Sequence, residues 1–96
     1  MDKIKATNIL EKNGNSNIVE VNLETGYFLN THTHDWNVDI IILKGSLQVN
    51  FNNKVKLLFA GDRFKPEKKT EHTEFSGIEG VSFLSARPSR KMNLIF

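Results

Sequence analysis

Short apolar runs separated by turn-forming residues recur along the chain, and this pattern limits the possible folds more than any other feature. The runs are rich in Val, Ile, Leu and Phe and are bounded by Gly, Asn and Asp, which is typical of β-strands joined by tight turns. Asn52-Asn53 gives the clearest hairpin, because Asn tolerates the positive φ of a two-residue turn. We predict strands at 4–10, 17–22, 27–33, 38–44, 46–51, 54–59, 71–75 and 81–86.

This many short strands in a chain of 96 residues favours one domain with an all-β fold, either a sandwich or a closed barrel. Hydrophobic residues make up 39% and charged residues 25% of the chain, which is the composition of a globular protein. No internal repeat or linker is present. Residues 89–96 are a possible separate tail, whose apolar side chains need a partner surface.

The three histidines of the chain are the candidate metal ligands. His32 and His34 are two residues apart, so they share one face of a strand. Asp39 follows His34 at an odd offset, so a turn at 35–37 is required before its carboxylate can point back toward the imidazoles. His72 comes from far along the chain, as expected for a site that the fold assembles. The chain has no cysteine, so any transition metal must be held by nitrogen and oxygen atoms.

These residues lie in two motifs that resemble those of the cupin superfamily. The first is Gly26-x5-His32-x-His34-x4-Asp39-x5-Gly45, and the second is Gly61-Asp62-x3-Pro66-x5-His72. Together they span about residues 26–75. Two departures are an Asp where the family has a Glu, and Lys68 where the second motif has a glycine, with one extra residue before His72.

The resemblance implies a jelly-roll barrel of the double-stranded β-helix type, with one divalent transition metal ion in its mouth. It implies that His32, His34, Asp39 and His72 bind that ion, which could be Fe, Ni, Mn, Co or Zn. It also points to a homodimer. Members of the family include dioxygenases and isomerases as well as ligand-sensing domains that do not catalyse a reaction.

Strand alternation predicts which side chains line a pocket beside the metal. Phe28 and Asn30 share a face with His32, and Ile41 shares one with Asp39. Glu74 shares a face with His72, which leaves it several roles: a replacement carboxylate, a partner that orients His72, a general base, or a solvent-exposed side chain.

The charge distribution argues against a nucleic-acid partner. The formal net charge is +2, and the basic clusters at Arg63, Lys65, Lys68 and Lys69 and at Arg87, Arg90 and Lys91 lack interleaved aromatic residues. We interpret them as solvated faces, with a phosphate-binding patch as the alternative, and expect no nucleic-acid partner. The first ten residues contain no uninterrupted apolar run, so we expect a cytoplasmic protein without a membrane partner.

Two functions fit these observations. The first is a metal-dependent enzyme, dioxygenase- or isomerase-like, that acts on a small oxygenated molecule through open metal positions. The second is a module that binds or senses such a molecule without turnover.

Overall fold

Six strands and one helix make up the part of the chain that the computed structural model describes, which is residues 1–14, 17–32 and 38–87, with the backbone alone at 31 and 32. The elements are α1 (Lys3–Lys12), β1 (Asn17–Leu23), β2 (Phe28–His32), β3 (Asp39–Phe51), β4 (Lys54–Phe59), β5 (Arg63–Phe64) and β6 (His72–Arg87). All strand pairings are antiparallel. The all-β jelly-roll prediction is confirmed.

The two long strands bend sharply at their middle. A straight strand of the length of β6, 16 residues, would measure about 50 Å, whereas the longest dimension of the protein is 33 Å. Gly45 of β3 and Gly80 of β6 have φ of 78° and 73°. A Cβ atom on Gly45 would lie 2.1 Å from the Gly80 carbonyl oxygen, so the corner requires glycine there.

The bend makes two sheets out of one hydrogen-bonded network. In the first sheet, residues 39–45 of β3 pair with residues 81–86 of β6, and β1 and β5 flank them. In the second sheet, residues 47–51 of β3 pair with residues 72–76 of β6, and β4 and β2 flank them. The beginning and the end of β6 therefore return to the same end of the barrel, which we call the mouth.

Alternation separates an inner face from an outer face. The interior of the barrel is an apolar cluster made of Ile40, Ile42, Leu47, Val49, Leu58, Phe64, Val81 and Phe83. The outer face of the first sheet is covered by α1 through a second cluster, made of Ala6, Leu10, Ile41, Leu43 and Leu84. Odd-numbered residues at the start of β3 thus lie outside the barrel, and even-numbered ones lie inside.

The predicted strand at 4–10 is wrong, because this segment forms α1. Asp2 caps the helix by accepting a hydrogen bond from the backbone N–H of Ile4, with the nitrogen 3.0 Å from Oδ1. Ala6 and Leu10 are one turn apart and are both fully buried against the first sheet. The cap residue and this i, i+4 spacing were the sequence signals for a helix.

The remaining predicted strands and turns agree with the structure in part. The hairpin at Asn52-Asn53 is confirmed, with φ of 49° and 60°. The breaks expected at residue 45 and at 76–80 lie inside the continuous strands β3 and β6, and β5 was not predicted. The turn at 35–37 and the tail at 89–96 lie outside the described residues. Over the described part of the chain, no helix has both the length and the apolar character needed to cross a bilayer.

Candidate metal site at the barrel mouth

His72 begins β6 and points into the barrel at its mouth. It lies opposite Phe51 of β3, whose side chain packs against the inner cluster. Its ring centroid is 6.4 Å from that of Phe64, and the residue is 2% exposed. An imidazole that is this deeply buried in an apolar wall needs specific partners for both ring nitrogens.

Both nitrogens have identifiable neighbours. Nδ1 lies 3.0 Å from the backbone carbonyl oxygen of Thr70, and because a carbonyl can only accept, Nδ1 carries a proton and donates it. Nε2 lies 3.2 Å from Oε1 of Glu74. With Nδ1 protonated, a neutral His72 directs the Nε2 lone pair at a carboxylate, so a proton or a metal cation must lie between the two groups.

The surroundings of His72 favour a cation at that position. Burial alone would lower the pKa of His72, but the hydrogen bonds with Glu74 and with the Thr70 carbonyl and the charge of Glu74 together raise it. Glu74 lies opposite Val49 of the inner cluster, and its side chain is 13% exposed. Glu74 is therefore an interior carboxylate in contact with His72, and the exposed alternative for it is wrong.

Asp39 lies on the other face of β3. Its carboxylate accepts two hydrogen bonds from Arg63, from Nε at 2.8 Å to Oδ1 and from Nη2 at 2.6 Å to Oδ2. Asp39 is two residues before Ile41, so both side chains lie on the same face of β3, and Ile41 packs beneath α1. The neighbouring Val38 lies on the opposite face and packs against the inner cluster. We correct the expectation that Asp39 turns toward the interior: an apolar Val38 occupies the inward position, and β3 itself separates Asp39 from His72.

Breaking the pair of Arg63 with Asp39 is expected to destabilise the fold. Arg63→Met leaves the Asp39 carboxylate, whose side chain is 4% exposed, without its bidentate partner. We expect the free energy of unfolding to fall by about 2–3 kcal/mol. This is no more than the smallest losses that are typical when one partner of a buried ion pair is removed, because Arg63 itself is partly exposed. Urea unfolding measures this. The double variant D39N/R63M should recover most of the loss, and failure to do so would mean that packing, not charge, is responsible.

Three predicted pocket residues lie away from the barrel interior. Phe28 lies opposite Phe75 on the outer face of the second sheet, with ring centroids 6.2 Å apart, and it is 51% exposed. Asn30 is exposed. Ile41 is buried between the first sheet and α1. The irregularity in the pairing of β2 between Leu29 and His32 explains the error for Phe28, because a bulge breaks the two-residue alternation.

An open cleft adjoins His72 on the side of the β3–β4 turn. Its volume is about 490 Å³, and its lining includes Phe51, Glu71 and His72 together with the turn residues Asn52 and Asn53. None of the four predicted pocket residues lines this cleft. The cleft therefore lies at the rim of the barrel beside His72.

The structure adds Arg87, which the sequence had placed in a solvated cluster. Arg87 ends β6 and is half-buried. Burial lowers the pKa of its guanidinium, and the charge of Glu74 partly offsets this effect. The alternation from Phe83 through Ser85 was the signal that could have identified Arg87 as inward-facing.

The donors present fit a divalent cation only in part. No group of three or more potential ligands occurs within the described ranges, but His72 and Glu74 supply one nitrogen and one oxygen. Two ligands bonded to one ion at about 2.0–2.2 Å lie about 2.8–3.6 Å apart, and the observed separation is 3.2 Å. The backbone of His32 pairs directly with that of His72. Neither the His32 side chain nor any part of His34 belongs to the described residues.

Comparison with solved structures identifies the class. A cupin-2 domain containing protein from Shewanella frigidimarina is 25% identical, with a TM-score of 0.66, over 74% of this chain and 68% of that one. An RmlC-like cupin from the same organism is 23% identical, with a TM-score of 0.66, over 77% and 67%. KdgF from Halomonas sp. is 20% identical, with a TM-score of 0.60, over 78% and 72%. No family model matches the sequence, and no curated protein does.

The fold is thus a double-stranded β-helix barrel of the cupin type. The chain is a small domain of the cupin superfamily. This class accommodates many unrelated functions, so the activity has to be argued from the site.

Proposed function

We propose that this cupin binds one divalent transition metal ion through His72, Glu74, His32 and His34, and that it acts on a small oxygenated molecule as a dioxygenase- or isomerase-like enzyme. The observation that carries the proposal is the contact of His72 with Glu74. In this proposal Glu74 replaces the carboxylate that the resemblance assigned to Asp39.

Local geometry supports the metal over a simple ion pair. Thr70 fixes the tautomer of His72 through Nδ1, which is how metal-binding histidines are commonly oriented, and this leaves Nε2 for the ion. The pairing of β2 with β6 puts the Cα of His32 opposite that of His72. A bound ion would act as a Lewis acid for an oxygen-containing ligand.

One observation favours the alternative of a non-catalytic binding or sensing module. Among the described residues, Glu74 is the one carboxylate that strand pairing puts on the inner face of the barrel. If Glu74 binds the metal, it cannot also serve as the general base. The other described neighbours of His72 inside the barrel include Phe51 and Phe64, whose side chains can neither donate nor accept a proton.

Metal content and ligand response together test the function. We expect protein purified without an affinity tag to hold close to one divalent ion per chain by elemental analysis. Keto and hydroxy compounds should then raise the melting temperature of metal-loaded protein but not of stripped protein. Turnover in oxygen-uptake and product assays supports the enzyme, whereas stabilisation without turnover supports the module. Equal stabilisation of loaded and stripped protein would contradict the role of the metal.

We also propose that the chain forms a homodimer through the outer face of the second sheet. Phe28, Phe75, Gln48 and Leu57 lie side by side across the four strands of this face, and Val55 and Phe59 continue the apolar surface along β4. The apolar members are 43–67% exposed. We call this surface the uncharged face, and it consists of Phe28, Ser46, Gln48, Asn50, Val55, Leu57, Phe59, Thr73 and Phe75.

A second copy is the occupant that this surface matches best. The uncharged face has no charged side chain, so a partner must present an equally uncharged surface, and the same face of another copy does so. The first sheet has its outer face covered by α1, whereas no other described element covers the second sheet.

A further inference from the structure

Glu74 and Arg87 lie near opposite ends of β6, 13 residues apart in the sequence. In a straight strand this separation would be about 43 Å. The bend at the Gly45–Gly80 corner brings the end of β6 back to the mouth, where the guanidinium lies within electrostatic range of the Glu74 carboxylate.

Strand pairing puts Arg87 on the inner face. Phe83 belongs to the inner cluster and Ser85 is 3% exposed, while Leu84 belongs to the outer cluster under α1. Arg87 continues the series of odd-numbered residues, and it pairs with Asn17 of β1. The mouth therefore contains an arginine in addition to the site at His72.

The charges in the mouth do not cancel once a metal is bound. Glu74 contributes −1 and Arg87 contributes +1. On the rim Glu71 contributes −1 and Lys54 contributes +1, and a divalent ion would add +2. The sum is positive in a partly desolvated site, where electrostatic interactions are stronger than in water. A ligand with an anionic end complements this charge, whereas a neutral one does not.

We propose that Arg87 selects the ligand by binding its carboxylate, so that the molecule recognised at the mouth is a small organic acid. This inference rests on the proposed function, since the metal would bind a second oxygen group of the same acid. The planar guanidinium can donate two parallel hydrogen bonds to a carboxylate, which a neutral amide cannot match. A guanidinium carries five N–H groups, so it can bind a carboxylate and interact with other groups at the same time.

Matched acids and amides test the proposal. Binding of lactate and 2-hydroxyhexanoate is compared with that of their primary amides by calorimetry, on loaded and stripped protein. We expect the wild-type protein to prefer the acids by at least about tenfold. Arg87→Gln should weaken acid binding by about 10- to 100-fold, the range for hydrogen bonds to charged groups, and change amide binding less than about threefold.

Two variants serve as controls. Lys12→Gln removes the same charge from the exposed end of α1 and should leave the preference unchanged. Arg87→Lys keeps the charge but not the bidentate geometry, and should retain part of the preference. It also provides the measurement if Arg87→Gln fails to fold.

The outcomes distinguish this proposal from the proposed function. Equal binding of acids and amides by the wild-type protein, or an equal loss of both in Arg87→Gln, would overturn the role of Arg87. No binding of either acid would overturn it as well. Absence of metal in the wild-type protein would instead overturn the proposed function. Comparing acid binding by wild-type protein and by Arg87→Gln, both stripped of metal, would still decide the role of Arg87, because only the variant lacks the guanidinium.

Discussion

Exchange of Glu74 for Gln is expected to weaken binding of a divalent ion by more than about 100-fold, while exchange of Asp39 for Asn changes it less than about threefold. Glu74 Oε1 is 3.2 Å from His72 Nε2 inside the barrel, whereas both Asp39 oxygens accept hydrogen bonds from Arg63 on the other side of β3. Loss of residues that merely orient a metal ligand costs about 10- to 100-fold in affinity, so loss of a ligand should cost more.

The two variants are a matched pair, because each converts one carboxylate into an amide of the same shape. Affinity is measured by competition with a chelator, and circular dichroism of the stripped proteins checks that both fold. Asp39→Asn is expected to lower stability through its pair with Arg63 without affecting the metal. Wild-type affinity in Glu74→Gln would contradict its role as a ligand, and metal loss in a folded Asp39→Asn would return that role to Asp39.

Exchange of Phe75 for Lys is expected to convert a dimer into a monomer. Phe75 is in the middle of the uncharged face, between Phe28 and Gln48, and an isologous interface would bring two such lysines together. Like charges forced together at an interface cost several kcal/mol, so the dissociation constant should rise by more than about 100-fold. Light scattering and sedimentation at micromolar concentration measure the change.

Ile4→Lys is the control for this experiment. Ile4 is an exposed apolar residue of α1, on the side of the molecule where the first sheet is covered, and its exchange should leave the dimer intact. A wild-type monomer would contradict the homodimer proposal. Deletion of residues 92–96 distinguishes the chain's own tail from a second copy as the occupant: if the tail covers the face, the deletion should expose it and increase association.

The candidate metal ligands show where sequence patterns are sufficient and where they are not. Residue types alone exclude a thiolate site, and the motif spacing singles out His72, which the structure buries at the barrel mouth. The spacing did not determine which carboxylate accompanies it. A shift of one residue in a strand moves a side chain to the other sheet face, and Val38 takes the inward position that the sequence had suggested for Asp39.

Local chemistry of this kind determined most of the strands and the Asn52-Asn53 turn, because alternation and positive φ act over only a few residues. The tertiary structure alone decided the rest. The bend at Gly45 and Gly80 folds β6 back on itself, so the position of Glu74 and Arg87 at the same end of the barrel depends on a corner that joins residues distant in the chain. The covering of one sheet by α1 and the exposure of the other likewise follow from packing between distant segments, which no local pattern specifies.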